Sequence, residues 1–271
     1  MIGIFDSGVG GLTVWREIRR CLPEVSLIYL ADQAHVPYGP RSALEITRFT
    51  EHGVRELVAR GCSVIVIACN TATAAALPHL RNTFPQIAFV GMEPAVKPAV
   101  ALTHTGVIGI LATYTTVKSE RLANLVQRYA RNVRVIEQAC PVWVDLVERG
   151  EFDQPHAFAQ VADDLHDLFS AQVDTLVLGC THFPFLSGCI QRAIDTYSPN
   201  ALIHIIDPAP AVAQQCQRLW RAYAPARADN IPDKMLLATT GDAQSFAQLA
   251  FRLLNITPAF EGAFDIVAIT P

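Results

Sequence analysis

Short apolar runs alternate with longer amphipathic stretches along the whole chain. The runs are rich in Val, Ile and Leu, which is typical of strands buried on both faces of a parallel sheet. We predict strands at residues 2–5, 25–31, 64–68, 87–91, 106–111, 133–137, 175–178, 203–206, 235–239 and 264–269. We predict helices at residues 12–22, 42–60, 70–80, 154–171, 208–223 and 242–254, and one after Pro141 that carries Asp145 and Glu148. This alternation indicates an α/β fold with mostly parallel sheets.

Two of the apolar runs end in the same way, with a small residue followed by a cysteine. Residues 64–67 lead to Ala68 and Cys69, and residues 175–178 lead to Gly179 and Cys180. Ligands of parallel sheets bind beyond the carboxyl ends of the strands, so both cysteines are candidate functional residues. A free cysteine can also be a small buried apolar residue, and that alternative stays open for each of them.

The chain contains a weak internal repeat. Aligning residues 2–4 with residues 108–110 places Ser7 opposite Thr113, 106 residues apart, and the two cysteines are 111 residues apart. The similar spacing suggests two related α/β units, each with a hydroxyl-bearing loop after one strand and a cysteine after another.

Two loops near the start of the chain carry polar groups at predicted strand ends. Residues 6–11 form a glycine-rich turn that enters a helix, where backbone N–H groups can bind an anion, but the glycine spacing is not that of a dinucleotide site. In the simpler alternative, Asp6 or Ser7 only caps the helix. Residues 32–40 form a rigid loop whose Tyr38 could line a binding site. Ser42 and Glu45 predict a capping box at the next helix.

Composition narrows the class of protein. The chain has 271 residues, of which 51% are hydrophobic and 17% charged, so we expect one large or two medium folded domains. The net charge of −4 argues against a general nucleic-acid binder. Seven cysteines without paired spacing favour reduced thiols in the cytoplasm, and we expect no signal peptide and no membrane span. Residues 224–233 are predicted to form an exposed loop.

Two thiols that approach one carbon atom from opposite faces can act as the two bases of a racemase. One thiolate removes the α-proton, and the other thiol returns a proton from the far side. An ordinary thiol pKa of about 8.5 makes a thiolate accessible near neutral pH. His182 and Asp6 are candidates to assist Cys180 and Cys69. Neutral hydrogen-bonding groups for a small zwitterion are available on Ser7, Asn70, Thr71 and Thr181.

Cofactor chemistry is not needed for this mechanism. The three lysines, Lys97, Lys118 and Lys234, do not lie at predicted strand-to-helix turns, which disfavours a pyridoxal Schiff base. We expect no metal site either, because paired C-x-x-C motifs are absent from the sequence.

The motifs together resemble the aspartate/glutamate racemase superfamily, and within it the bacterial glutamate racemases. The resemblance covers nearly the whole chain in order, at residues 5–11, 37–39, 69–73, 179–182 and 239–242. It implies cofactor-independent interconversion of L- and D-glutamate, which provides D-glutamate for peptidoglycan and so serves cell-wall biogenesis and cell shape. It also implies a small-molecule substrate, no nucleic-acid or membrane partner, and a homodimer.

The resemblance also implies roles for individual residues. Cys69 would act on the D-enantiomer and Cys180 on the L-enantiomer, with Asp6, His182 and Glu148 as further catalytic residues and Glu148 near the substrate amine. The substrate site would be formed by Asp6, Ser7, Tyr38, Gly39, Asn70, Thr71, Thr113, Thr116, Thr181 and His182. Val36 and residues 183–185 depart from the usual pattern only by apolar exchanges.

The implied fold has two pseudo-symmetric three-layer α/β domains with the active site in the cleft between them. We place the first domain at residues 1–95 plus 208–271 and the second at residues 96–207. The chain lacks the long N-terminal extension of members that a cell-wall nucleotide precursor activates, so we do not expect such activation.

Three other functions stay open at this stage. An aspartate or other amino-acid racemase differs only in substrate. A thiol hydrolase could use Cys180 with His182, but it would leave Cys69 without a role. A metal-binding module could use Cys69, Cys180 and His182. A further, non-catalytic interaction role leaves no signal in the sequence.

Overall fold

The computed structural model describes residues 1–223 and 235–271, without the side chains of residues 258–260. The chain divides into two compact units. The first combines Met1–Met92 with Ala209–Pro271, and the second is the continuous segment Glu93–Pro208. The loop predicted at residues 224–233 lies outside the described residues. No helix in the described ranges is long and apolar enough to cross a membrane.

The elements of the first unit up to residue 92 alternate regularly between strand and helix. They are β1 (Ile2–Asp6), α1 (Leu12–Cys21), β2 (Leu27–Ala31), α2 (Ala43–Ala59), β3 (Val64–Ile67), α3 (Asn70–Thr83) and β4 (Ala88–Gly91), with a 3₁₀ turn at Gln33–His35. The predicted capping box is confirmed, since the Glu45 backbone N–H donates to Ser42 Oγ and the Ser42 backbone N–H donates to Glu45 Oε2.

The second unit has four strands and more helices than we predicted. Its elements are α4 (Val96–Leu102), β5 (Val107–Ala112), α5 (Tyr114–Val117), α6 (Glu120–Tyr129), β6 (Arg134–Ala139), α7 (Pro141–Glu148), α8 (Pro155–Ser170), β7 (Thr175–Leu178), α9 (Ser187–Tyr197) and β8 (His204–Ile206). A 3₁₀ turn at Phe183–Leu186 precedes α9. Helices α4, α5, α6 and α9 were not predicted.

The chain then returns to the first unit. The returning elements are α10 (Ala209–Tyr223), β9 (Met235–Thr239), α11 (Ala243–Leu253) and β10 (Phe264–Ala268), with a 3₁₀ segment at Pro258–Ala263. Helix α10 packs against α1, so the return is held by helix contacts as well as by the sheet.

Four neighbouring strands of the first sheet have the same order as the four strands of the second sheet. The six-stranded sheet runs β10-β9-β2-β1-β3-β4 and the four-stranded sheet runs β6-β5-β7-β8, and every strand pair is parallel. The orders β2-β1-β3-β4 and β6-β5-β7-β8 are equivalent, which confirms the internal repeat. Every residue of β1, β2 and β3 is buried, as expected for strands covered on both faces. The predicted α/β class is therefore confirmed.

Neither Asp6 nor Ser7 is the N-cap residue of the first helix, so the structure does not support the simpler alternative for this turn. Helix α1 begins at Leu12, and its N-cap residue is Gly11. Asp6 Oδ1 instead accepts a hydrogen bond from the Gly8 backbone N–H at 2.9 Å. The Asp6 carboxylate therefore stabilises a local turn before the helix begins. It lies at the end of β1, at the edge of the sheet.

Asp174 fixes the loop that enters β5. Its carboxylate accepts hydrogen bonds from Thr103 Oγ1 at 2.6 Å and from the backbone N–H groups of His104 and Thr105 at 2.6 and 2.8 Å. Burial alone raises the pKa of Asp174, but these hydrogen bonds and one from Thr175 lower it to about 2. The charged Asp174 carboxylate therefore stabilises the folded protein more than the protonated form does.

We expect Asp174→Ala to lower the free energy of unfolding by about 2 kcal/mol at pH 7, because it removes the charged acceptor of hydrogen bonds from Thr103, from two backbone N–H groups and from the buried Thr175. The carboxyl ionises more readily in the folded state, so its contribution is complete above its ordinary value of 3.8 and is lost as the pH falls towards 2. Urea unfolding of wild type and variant at pH 7 and pH 2.5 should show the difference shrinking in acid. Asp163→Ala, at an exposed position of α8, is the control; an equal loss in both variants would contradict this role.

Candidate active site

The carboxyl edge of the first sheet brings Cys69 next to Ser7. The Ala68 backbone N–H donates to the Phe5 carbonyl at 2.8 Å, so β1 and β3 end side by side. Ser7 then follows β1, and its hydroxyl donates to Cys69 Sγ at 3.6 Å. Asp6 is fully buried at the end of β1. Three residues predicted from two separate motifs therefore lie at one edge.

Cys69 is also the N-cap residue of α3. Its sulfur accepts a hydrogen bond from the Ala72 backbone N–H at 3.4 Å, and the side chain is almost fully buried. A helix N-terminus attracts negative charge, and this helix is fourteen residues long. The helix and the Ser7 hydroxyl therefore stabilise the thiolate form of Cys69.

Asn70 and Thr71 form the first turn of α3 and are both buried. Neither the amide nitrogen nor the amide oxygen of Asn70 has a hydrogen-bond partner among the described residues. A buried amide with no partner is unfavourable and uncommon. Next to a cysteine at a sheet edge, it is suited to a ligand that supplies both a donor and an acceptor.

Tyr38 is held by a carboxylate that we did not predict as a site residue. Its hydroxyl donates to Asp32 Oδ2 at 2.6 Å, and burial together with the negative charge of Asp32 raises the pKa of this phenol. Asp32 also accepts from Thr240 Oγ1 at 2.8 Å and lies 2.9 Å from His35 Nδ1. Asp32 follows β2 as directly as Ser7 follows β1, which was the available signal. Gly39, next to Tyr38, is half-buried.

The second unit gives Cys180 a different partner. Cys180 Sγ lies 3.7 Å from His182 Nδ1, and His182 Nε2 lies 2.6 Å from Glu148 Oε1 at the end of α7. Burial alone lowers the pKa of His182, but its hydrogen bonds to Cys180 and Glu148 raise it well above the usual value. A protonated His182 can therefore donate to both neighbours and stabilise a Cys180 thiolate.

The predicted hydroxyl residues of this unit lie at the ends of neighbouring strands. Thr113 follows β5 and caps α5, with its Oγ1 accepting from the Thr116 backbone N–H at 3.4 Å and 3.1 Å from Thr116 Oγ1. Thr181 follows Cys180 and is 1% exposed. Because β5 pairs with β7, these threonines and Cys180 share one sheet edge.

The other cysteines have no comparable setting. All seven thiols are free. Burial raises the pKa of Cys62 and of Cys216 to about 12 and also raises that of Cys140, so these thiols stay protonated at neutral pH. The described part of the chain contains no group of three or more His, Cys, Asp or Glu residues placed to bind a metal ion, which gives the metal-module alternative no support.

Comparison with known proteins identifies the family of this chain. Residues 3–216 match the Asp/Glu/Hydantoin racemase family. The match extends over most of the chain, and the chain belongs to this family. The resemblance inferred from the motifs is confirmed.

Individual relatives are more specific. A curated protein of Roseiflexus named glutamate racemase is 46% identical over 256 residues, 93% of this chain and 91% of its own. A crystal structure of a Bacillus anthracis glutamate racemase isoform has a TM-score of 0.84, at 33% identity over all of this chain and 97% of that one. An Escherichia coli glutamate racemase, solved with L-glutamate and the activator UDP-MurNAc-Ala, has a TM-score of 0.81 at 31% identity over 94% and 93%.

Proposed function

We propose that this protein is a glutamate racemase that interconverts L- and D-glutamate without a cofactor, using Cys69 and Cys180 as the two bases. The observation that carries the proposal is the equivalent placement of the two thiols. Each follows the third strand of its own repeat, and each has a different partner that stabilises negative charge on sulfur. The names of the relatives support glutamate as the substrate.

The proposed reaction moves one proton at each face of the α-carbon. For L-glutamate, the Cys180 thiolate removes the α-proton while His182 compensates the change of charge, and the Cys69 thiol donates a proton to the opposite face. Cys69 is then the thiolate and Cys180 the thiol, ready for D-glutamate. Asp6 assists proton exchange at Cys69, and Glu148 keeps His182 protonated.

The remaining groups bind the substrate in this proposal. Asn70 offers an amide without a partner, and Tyr38 is oriented by Asp32. Other contacts come from residues at the two sheet edges, namely Asp6, Ser7, Gly39, Thr71, Thr113, Thr116, Thr181 and His182. No pyridoxal phosphate or metal takes part, because proton transfer between two thiols and an α-carbon requires neither.

The orphan amide of Asn70 gives a prediction that separates binding from stability. Asn70→Ala should raise KM for glutamate about 10- to 100-fold, the effect of losing hydrogen bonds to a charged ligand. The free energy of unfolding should not fall, because the Asn70 amide has no hydrogen-bond partner among the residues that the structure describes. Thr83→Ala, in the last turn of the same helix, is the control. If Asn70→Ala lowered the free energy of unfolding as much as it weakened glutamate binding, the binding role would be refuted.

The wider role follows from the product. D-glutamate is needed for peptidoglycan, so we place the protein in cell-wall biogenesis and maintenance of cell shape. We further propose a cytoplasmic homodimer without nucleic-acid or membrane partners. Sedimentation of the purified protein tests the dimer, and a mutant that requires added D-glutamate for growth would support the cell-wall role.

The decisive experiment is proton exchange in heavy water with no added cofactor. L-glutamate, D-glutamate, L-aspartate and L-alanine are incubated separately with the protein. Circular dichroism follows racemisation, and NMR follows α-deuterium incorporation. We expect exchange and racemisation of both glutamate enantiomers only. Exchange of aspartate instead would keep the family reaction and overturn the substrate, whereas no exchange in any amino acid would overturn the racemase proposal.

One observation favours a second candidate, a thiol hydrolase. Cys180, His182 and Glu148 form a thiol–imidazole–carboxylate series, the arrangement that activates a nucleophilic cysteine. This candidate gives no role to Cys69 and Ser7. A covalent acyl group on Cys180, detected by mass spectrometry after incubation with activated esters, together with no α-proton exchange, would favour the hydrolase.

A further inference from the structure

Helix α7 carries a group that the proposed mechanism uses, yet it is too short to be stable alone. It has eight residues, and isolated helices of that length are marginal in water. It ends at Glu148, whose Oε1 lies 2.6 Å from His182 Nε2. The accuracy of this contact therefore depends on what fixes α7 against its surroundings.

Trp143 is one anchor of α7. It is fully buried, and its ring centroid lies 4.8 Å from that of Phe183, the residue next to His182. Its indole N–H donates to Asp164 Oδ2 on α8 at 2.7 Å, and Gln160 Nε2 donates to the same oxygen at 3.0 Å. One side chain thus contacts the segment that carries His182 and belongs to the helix that carries Glu148.

Cys140 is influenced by the charges of both Asp164 and Cys180. The residue precedes α7 and is fully buried. Burial raises the pKa of its thiol, and the negative charges of Asp164 and Cys180 raise it further. Both groups therefore lie within electrostatic range of one side chain.

We propose that Trp143 and Asp164 are positioning residues for the proton transfer at Cys180: their hydrogen bond fixes α7, and α7 holds Glu148 against His182. The inference rests on the proposed function, in which His182 serves Cys180. Neither residue touches the reacting atoms. Their effect is confined to one of the two thiols, because Cys69 is stabilised by Ser7 and α3 of the other unit.

The test compares variants that remove the hydrogen bond with variants that keep it. Trp143→Phe removes the donor and keeps a ring against Phe183, Asp164→Ala removes the acceptor, and Asp164→Asn keeps a side-chain oxygen that can accept. Trp15→Phe is the matched control, since the buried indole N–H of Trp15 has no partner within the described residues. Iodoacetamide alkylation is followed against pH for each cysteine by peptide mass spectrometry, and kcat and KM are measured for both enantiomers.

In Trp143→Phe and Asp164→Ala, we expect the midpoint of Cys180 alkylation to rise by about one pH unit, which means about tenfold less thiolate at neutral pH. The Cys69 midpoint should not move, and kcat should fall about tenfold with KM within about twofold. Asp164→Asn should stay within about threefold of wild type, and Trp15→Phe should match wild type.

The inference would be overturned if the Cys180 midpoint did not change or if the Cys69 midpoint shifted equally. It would also be overturned if Asp164→Asn were as defective as Asp164→Ala. Thermal melts check that each variant folds. If Asp164→Ala does not fold, the comparison of Trp143→Phe with Trp15→Phe tests the inference. Alkylation needs no substrate. If the wild type did not racemise glutamate, the proposed function would be wrong. The alkylation of Cys180 would still test whether Trp143 and Asp164 position Glu148 and His182.

Discussion

Cys69→Ser and Cys180→Ser should each lose at least about 10³-fold in kcat/KM for glutamate racemisation, near the upper range for a general acid–base group. A serine hydroxyl is far less acidic than a thiol, so it cannot supply the base at neutral pH, although it fits the same space. L- and D-glutamate have equal free energies in water. The loss in kcat/KM must therefore be the same in both directions, whichever cysteine is changed.

The controls for this pair are two half-buried thiols, one in each unit. Cys21→Ser and Cys189→Ser should keep activity near the wild-type value. Circular dichroism at both enantiomers measures the rates, and far-UV spectra verify folding. Substantial racemisation by either Cys69→Ser or Cys180→Ser would eliminate the two-thiol mechanism, because one base cannot reach both faces of the α-carbon.

His182→Asn should lower kcat/KM about 10²- to 10³-fold. The raised pKa of His182 keeps a positive charge next to the Cys180 sulfur at neutral pH, and asparagine offers only a neutral hydrogen bond. Without this charge the Cys180 thiolate should be less populated. Iodoacetamide should therefore alkylate Cys180 more slowly in the variant than in the wild type at the same pH.

His156 provides a matched control within the same unit. Its Nε2 also contacts a glutamate, Glu151, at 3.1 Å, but this pair is largely exposed. His156→Asn should leave activity and Cys180 alkylation unchanged, since an exposed ion pair contributes little. If His182→Asn kept its activity, or if both variants lost it equally, the role of His182 as partner of Cys180 would be disproved.

Strands β1, β2 and β3 were predictable because strands buried on both faces must be continuously apolar. The same pattern located Cys69 and Cys180, which follow two such runs directly. Helix α6 was missed although its signal was present: Leu122, Leu125 and Val126 have helical spacing, and Ser119 caps the helix. Helix α5 has only four residues, which is too short for periodicity to show.

The sequence pattern could not predict the contacts that orient the site residues. Asp32 accepts a hydrogen bond from Thr240, which lies 208 residues further along the chain. Asp164 accepts one from Trp143, which lies on a different helix. A periodic pattern shows that a residue is polar or buried, but it does not say which partner the fold brings to it. The cap considered for α1 is absent at Asp6 for a local reason, because the Asp6 carboxylate accepts a hydrogen bond from Gly8 in its own loop before the helix begins.

The strand order of the first unit also constrains how the protein can fold during synthesis. Strand β9 pairs with β2, and β10 pairs with β9, yet both leave the ribosome after the whole of the second unit. The second unit is continuous and can complete its sheet first. Until the last residues emerge, β2 is an open edge on a nascent sheet, and an open edge invites pairing with other chains. The unit that begins the chain is thus the last to be finished.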